Sequence, residues 1–434
     1  MAYAEELARL YALESRGIRM GASRMAEALG FRGHPERGQR FVHVGGTNGK
    51  GSVSSMIASC LVQAGYRTGL FTSPHMHRYV ERVRIDGRPL GERETAGRLR
   101  ELLAAFEGAG APDTTFFELT TLLALEAFRD HGCDLVVLEV GLGGRLDATN
   151  AVTPEVAVIT RVALDHTRIL GDTVGQIARE KAGIIKRGVP LVTAVRDPAA
   201  RRVIGAHARR LGVEVAWIDR DFAAVADVTR GRARFGVRVG ERVVSGLRTR
   251  LAGEHQRENA ASAVAALQLL RERGFAVSDA AIRRGLARVR WPGRLERVAG
   301  KPSFLFDAAH NLDGCISLER YLREEDRWRR RPGARRVLVF GAMADKQYGP
   351  MLRLLAPLFD RIVFSPPAMR RAAGYAQLRK HAPGVVAGNV AAALVRARRA
   401  AGVRGEVVVA GSIFLVADAR ARVLGLRGDP QIRM

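Results

Sequence analysis

The sequence predicts an α/β protein built on a largely parallel sheet, and three observations predict it. Apolar, β-rich runs alternate with helical patterns, a glycine-rich turn joins one such run to a helix, and apolar residues are plentiful enough for sizeable cores. With 434 residues, 47% of them hydrophobic, the chain has room for two or three domains.

The first informative element is the run Phe41-Val42-His43-Val44, which reads as a strand. Gly46-Thr47-Asn48-Gly49-Lys50-Gly51-Ser52 follows it, and Val53-Ser54-Ser55-Met56-Ile57-Ala58 then opens a helix. Glycines without Cβ let the backbone wrap close to an anion, and a helix start points unpaired N–H groups at it. Lys50 adds charge and Ser52 a hydroxyl for Mg²⁺. The stretch therefore predicts a phosphate loop for ATP or a relative, with Thr47, Asn48, Gly49, Lys50, Gly51 and Ser52 as contacts. It departs from the strict pattern: Val44 stands at the first glycine position, and Gly51 separates Lys50 from the hydroxyl residue.

The next elements follow the same grammar. Strands are expected at 68–71, 135–140, 156–160 and 191–195, with helices at 116–130 and 173–186. In such sheets ligands gather at the carboxyl ends of strands. There the chain places Thr72-Ser73-Pro74-His75, Glu139 before Gly141-Leu142-Gly143-Gly144, and Leu164-Asp165-His166. A carboxylate in an apolar strand is costly unless it is paired or bound to metal. Ser73, Glu139 and His166 are thus candidate Mg²⁺ ligands; imidazole is a minority partner for magnesium, which leaves Mn²⁺ open. Between 213 and 250 the alternation around Gly240-Glu241 predicts a hairpin, and a helix follows at 257–272. Further strands are expected at 304–306, 337–340, 361–364 and 406–410.

Composition adds two arguments. Of 70 Lys+Arg only six are lysine, at 50, 181, 186, 301, 346 and 380. Where arginine serves nearly everywhere, a retained lysine points to work that guanidinium cannot do, as a compact charge on phosphate or by losing its proton. The net charge of +26 raises nucleic-acid binding, but the arginines are spread along the chain among acids. Their densest cluster, Arg327-Trp328-Arg329-Arg330-Arg331, reads as a loop before Pro332-Gly333, so no nucleic-acid partner is expected. Nor is a membrane partner, because no apolar run approaches a membrane span. The amino terminus lacks a signal-peptide layout, and a cytoplasmic location is expected. Cys60, Cys133 and Cys315 form no paired motif and are expected to be buried small residues.

Taken together, the motifs resemble the folylpolyglutamate synthase and dihydrofolate synthase branch of the Mur ligases. The resemblance spans most of the chain. Besides the phosphate loop it rests on Thr72-Ser73-Pro74-His75 with Glu81-Arg82-Val83, Leu138-Glu139-Val140-Gly141, Asp165-His166 and Glu180-Lys181-Ala182-Gly183. Later come Gly253-Glu254-His255-Gln256 with Asn259, Trp291-Pro292-Gly293-Arg294, and Asp307-Ala308-Ala309-His310-Asn311.

The resemblance implies a Mur-ligase-like fold: an ATPase domain at 1–295 and a smaller Rossmann-like α/β domain at 296–434. It implies that Lys50 and the loop amides hold ATP phosphates, that Ser73 and Glu139 bind one Mg²⁺ and His166 a second, and that Lys181 is carbamylated. Asn259 would contact adenine, Arg294 the phosphates, and Asp307 with His310 the ribose and phosphate region. Asp147 in Gly144-Arg145-Leu146-Asp147 would hydrogen-bond a pterin. The implied reaction joins L-glutamate to dihydropteroate or to reduced folates through an acyl phosphate, in a monomer. Folate chain extension alone, a UDP-muramyl ligase and a basic nucleic-acid-binding ATPase stand as alternatives. The departures are alanine and leucine in Asp307-Ala308-Ala309-His310-Asn311-Leu312, and Gln347 after Asp345-Lys346 where an acid is usual.

Overall fold

The computed structural model describes residues 2–13, 21–226, 234–328, 333–367, 369 and 371–429. Eight strands form the first sheet: β1 (Phe41–Gly45), β2 (Thr68–Phe71), β3 (Val83–Ile85), β4 (Arg88–Pro89), β5 (Leu135–Glu139), β6 (Val156–Ile159), β7 (Leu191–Thr193) and β8 (Val215–Trp217). Their order is β4-β3-β2-β5-β1-β6-β7-β8. The six from β2 to β8 run parallel, and β3 with β4 make an antiparallel edge.

Every residue of β1, β5 and β6 is buried, which is why these strands read as continuous apolar runs. Val42, Val44, Val137 and Val158 face the helices Lys50–Gln63 and Glu254–Glu272. Phe41, Val136 and Leu138 point the other way, onto the helix Phe116–Asp130. In the register Val44 lies beside both Glu139 and Val158, so three strands deliver their carboxyl ends to one place.

The helix Phe116–Asp130 has the bounds expected from sequence and starts with a capping box of Thr115 and Glu118. The helix Val174–Ala182 stops short of the expected residue 186. Ile184 and Ile185 must enter the core, and the chain meets that need with tighter turns, Ile184 N–H to Lys181 O (3.2 Å) and Ile185 N–H to Ala182 O (3.0 Å).

A separate sheet of β9 (Phe222–Ala226), β10 (Phe235–Val239) and β11 (Arg242–Leu247) contains the expected hairpin and adds a strand that the alternation did not reveal. The third sheet is formed by β12 (Glu296–Val298), β13 (Ser303–Phe306), β14 (Arg336–Phe340), β15 (Arg361–Phe364), β16 (Val385–Val386) and β17 (Glu406–Ala410). Its order is β12-β13-β17-β14-β15-β16, parallel except for β12.

Two expectations need correction. Arg327 and Trp328 are not loop residues but end the helix Leu312–Trp328, and 329–332 lie outside the described residues. Cys133 is half-buried, although Cys60 and Cys315 are buried; all three thiols are free. Among the described residues no helix is long and apolar enough to cross a membrane.

Candidate active site

The carboxyl ends of β1, β5 and β6 open into a cavity of about 660 Å³, with the glycine-rich loop along one wall. Segment 160–163, just after β6, holds that loop in shape. Thr160 Oγ1 lies 2.8 Å from Asn48 O and 3.1 Å from Gly45 O, and the Thr47 N–H donates to Arg161 O (2.7 Å).

The glycines of the loop are required by their surroundings. A Cβ on Gly46 (φ +139°) would stand 1.8 Å from Thr160 Oγ1, and one on Gly51 would stand 2.8 Å from the Trp291 ring. The second contact explains the glycine after Lys50. Gly46→Ala is expected to cost about 2–3 kcal/mol through strain and lost loop bonds, measured by urea unfolding; an unchanged midpoint would show that the loop can shift freely.

Glu139 ends β5 inside the cavity wall. Its Oε2 accepts the Ser73 N–H (3.0 Å) and its other oxygen makes no hydrogen bond among the described residues. Burial pushes its carboxyl up to about 7, against the pull of Lys50, the Ser73 amide and Arg294. Lys181, 3% exposed, comes from the helix below and donates to Gly46 O (2.9 Å). Burial, and then the charge on Lys50, bring its amine down to about 7.

Opposite these, residues from the third sheet's loops close on β6. Asp165 Oδ1 meets Lys346 Nζ (2.5 Å), while its Oδ2 accepts from Asn311 Nδ2 (2.9 Å) and faces His310 Nε2 (3.3 Å). Burial raises the Asp165 proton affinity, but His310 and Lys346 override it and hold the carboxyl far below the usual range. His166, in the left-handed region at φ 50°, sits with Nε2 at 3.2 Å from Lys346 Nζ; burial and Lys346 lower its imidazole to about 4. Asn48 Nδ2 donates to Asn311 Oδ1 (2.9 Å) and Asp313 Oδ2 (2.8 Å), tying the glycine-rich loop to the C-terminal segment.

Arg294 reaches the cavity from the connection before β12, and its Nη1 donates to Gly293 O (3.3 Å). Asp307 accepts the N–H groups of Leu295 (2.9 Å) and Ala309 (2.9 Å), which shape that connection. Asn259 Nδ2 donates to Gln256 Oε1 (3.0 Å) at the cavity edge. Every candidate contact named from the sequence lines this cavity except Asp147.

Known proteins resemble this chain along most of its length. The profile of the Mur ligase middle domain matches residues 44–267, and that of the Mur ligase glutamate ligase domain matches 293–413. The chain belongs to the Mur ligase family. This Mur ligase is 38% identical over 80% of its length to the dihydrofolate synthase/folylpolyglutamate synthase of Bacillus subtilis, covering 81% of that protein. Its fold matches E. coli FolC in complex with DHPP and ADP with a TM-score of 0.87, at 33% identity over 97% of this chain and 98% of the other. It matches a bifunctional folylpolyglutamate synthase/dihydrofolate synthase with Mn, AMPPNP and L-glutamate bound with a TM-score of 0.86, at 33% identity over 97% and 98%.

Within the Mur ligase site, four residues were not picked out as contacts from the sequence: Asp165, Asn311, Asp313 and Lys346. For Lys346 a signal existed, since it is one of the six lysines. Asp147 is the opposite case: it is buried, and its carboxylate accepts from Leu142 N–H (2.8 Å), Thr149 N–H (3.0 Å) and the Thr149 hydroxyl (2.5 Å). It caps the short turn Ala148–Ala151 beneath the site.

Among the described residues no three His, Cys, Asp or Glu side chains cluster tightly enough to hold a metal alone. The donors nevertheless suit one. Glu139 is a buried carboxylate with no ion-pair partner among the described residues, and a divalent cation would return it to its ordinary range. In the ligand-free protein, between about 4.5 and about 7 the native Glu139 keeps a proton that the unfolded chain has lost, so stability falls as pH rises through that window. Glu139→Gln is therefore expected to stabilise the ligand-free protein by roughly 2 kcal/mol near pH 8, with the gain fading toward pH 4.5. Urea unfolding at both pH values measures it, and a pH-independent difference would remove the titration argument.

Proposed function

We propose that this Mur ligase adds L-glutamate to dihydropteroate, forming dihydrofolate, and to reduced folylpolyglutamates, extending their chain. The observation that carries this reading is a cavity in which a phosphate loop, a buried carboxylate with no ion pair among the described residues and a buried lysine meet residues from the third sheet. The division falls near residue 295, between an ATP-binding part and a C-terminal part, with Arg294 at the junction.

A carboxylate is a poor electrophile, so the acceptor's carboxylate first attacks the γ-phosphorus of ATP and ADP leaves. Lys50 and the amides at the helix start stabilise the charge that spreads over the transferring group. The acyl phosphate then meets the amine of glutamate, and the tetrahedral adduct collapses to an amide with release of phosphate. Asn48, Asn311 and Asp313 clasp the two parts around the cavity and keep out water that would hydrolyse the acyl phosphate. Ser73 and Glu139 would hold one Mg²⁺ and His166 a second, which supply charge neutralisation on the phosphates. Lys181 would be carbamylated, Asn259 would contact adenine, and Arg294, Asp307 and His310 would reach the phosphate and ribose side of the nucleotide. Asp147 would hydrogen-bond the pterin, exchanging for it one of the bonds that it makes within the loop 141–149. Action as a monomer belongs to the same reading, and the free thiols suit a reducing cytoplasm.

Glutamate-dependent ADP release with dihydropteroate, tetrahydrofolate or a UDP-muramyl peptide precursor tests this, each product being identified by mass. Turnover of both pteridines is expected. Turnover of tetrahydrofolate alone would limit the enzyme to chain extension, and turnover of the muramyl precursor alone would move it to another branch.

A further inference from the structure

A cavity of about 630 Å³ lies outside the catalytic one, lined by His77, Arg78, Glu81, Arg84, Glu92 and Arg420 among others. Most of its charges are already engaged. Arg420 Nε and Nη2 donate to Glu296 (2.7 and 2.8 Å), and its Nη1 meets His77 Nε2 (2.8 Å). Arg78 pairs with Glu92, and Glu81 accepts the N–H groups of Met76 (2.9 Å), His77 (3.0 Å) and Arg78 (2.9 Å).

Arg84, on β3 beside the short edge strand β4, is different. Among the described residues its side chain makes no hydrogen bond or ion pair, and its Nε is shielded from solvent with no acceptor. Burial lowers the proton affinity of its guanidinium, with Glu81 as the opposing charge. A partly buried, unmatched cation is costly unless something else supplies the anion.

We propose that this cavity is a subsite for the α-carboxylates of a γ-linked glutamate chain, with Arg84 as its anion contact. This rests on the reaction proposed above. Each chain-extending turnover consumes the terminal γ-carboxylate but leaves every α-carboxylate free, so an extended substrate carries a row of anions that dihydropteroate, with its one aryl carboxylate, lacks. The segment 73–78 joins the two cavities: Ser73 and Pro74 line the catalytic one, His77 and Arg78 this one. Pro292 and Arg420 complete the wall, which places the cavity where the first and third sheets' parts meet. Free L-glutamate offers the same carboxylate chemistry, and the test separates the two.

Isothermal titration of the full chain with N-acetyl-γ-triglutamate and with free L-glutamate, on wild type, Arg84→Met and Arg84→Lys, decides it. The triglutamate is expected to bind wild type, to bind Arg84→Met about tenfold more weakly, and to bind Arg84→Lys between them. The KM for triglutamyl tetrahydrofolate, relative to that for dihydropteroate, is expected to rise by a similar factor of about ten in Arg84→Met. Methionine keeps an apolar stem and removes an unmatched charge, so the variant should unfold no earlier than wild type, which thermal unfolding checks. Equal triglutamate affinity in wild type and Arg84→Met overturns the proposal. So does free glutamate that binds as tightly as the triglutamate and is equally sensitive to Arg84. If wild type extends neither pteridine, the reaction is misassigned instead, and the titration still decides whether the cavity binds the chain.

Discussion

Lys50→Met is expected to lower kcat/KM for glutamate addition by about 10³-fold while leaving the fold intact. Lys50 is the first residue of the helix Lys50–Gln63, and its Nζ is held 3.2 Å from Thr47 O within the loop. That position puts a compact charge beside the helix start. The negative charge on the transferring phosphoryl group is spread most widely in the transition state, so kcat should fall more than nucleotide affinity. Arginine is not expected to rescue. Its broader planar fork needs room in a loop already crowded by Asn259, whose Oδ1 would stand 2.6 Å from a Cβ on Gly49, and by Trp291. Steady-state ADP release and thermal unfolding measure both halves of the prediction. A loss of only a few fold would mean that the loop amides carry the phosphate charge without the lysine. The substitution should also reach further, because Lys50 favours ionised Glu139 and neutral Lys181.

Much of this site is legible in the sequence because its parts sit at strand ends. Buried parallel strands are continuous apolar runs, so their ends are visible, and Ser73, Glu139 and His166 stand just there. The glycine-rich loop is legible for a similar local reason: positive φ at Gly46 and Gly49 and the contact at Gly51 all demand glycine. What local pattern cannot show is a pairing made across the fold. Asp165 with Lys346, and Asn48 with Asn311, join residues 181 and 263 positions apart. Asp147 shows the converse, since an aspartate in a loop looks the same in sequence whether or not it binds its own loop, as Asp147 does at Leu142 and Thr149. The helix end at Ala182 depends in the same way on the burial of Ile184 and Ile185, which the pattern at 173–186 does not distinguish from another helical turn.

Lys181→Ala is expected to lower glutamate addition by about 10²–10³-fold, and small carboxylic acids such as acetate should restore about tenfold of it. The argument begins with burial. At 3% exposed, with Gly46 O as the hydrogen-bond acceptor of its amine, Lys181 has little to stabilise a positive charge, and Lys50 opposes one. Its amine therefore falls from 10.5 to about 7. Between those values the unfolded chain holds a proton that the native chain lacks, so this group makes the protein more stable as pH rises; below about 7 the native amine must charge at full desolvation cost. A neutral amine at ordinary pH can take up carbon dioxide to become an anionic carbamate, and an arginine in its place cannot. Activity should accordingly rise with pH through about 7 and with added bicarbonate after dialysis into carbonate-free buffer. Both dependences should vanish in Lys181→Ala. Acetate would stand in for the carboxylate of the proposed carbamate in the space the side chain leaves, whereas Lys181→Arg keeps a fixed cation there and should respond to neither acid nor bicarbonate. If bicarbonate leaves the wild type unchanged and acetate fails on the alanine variant, Lys181 works as an amine. Its role would then be the one seen directly, holding the backbone of the phosphate loop through Gly46.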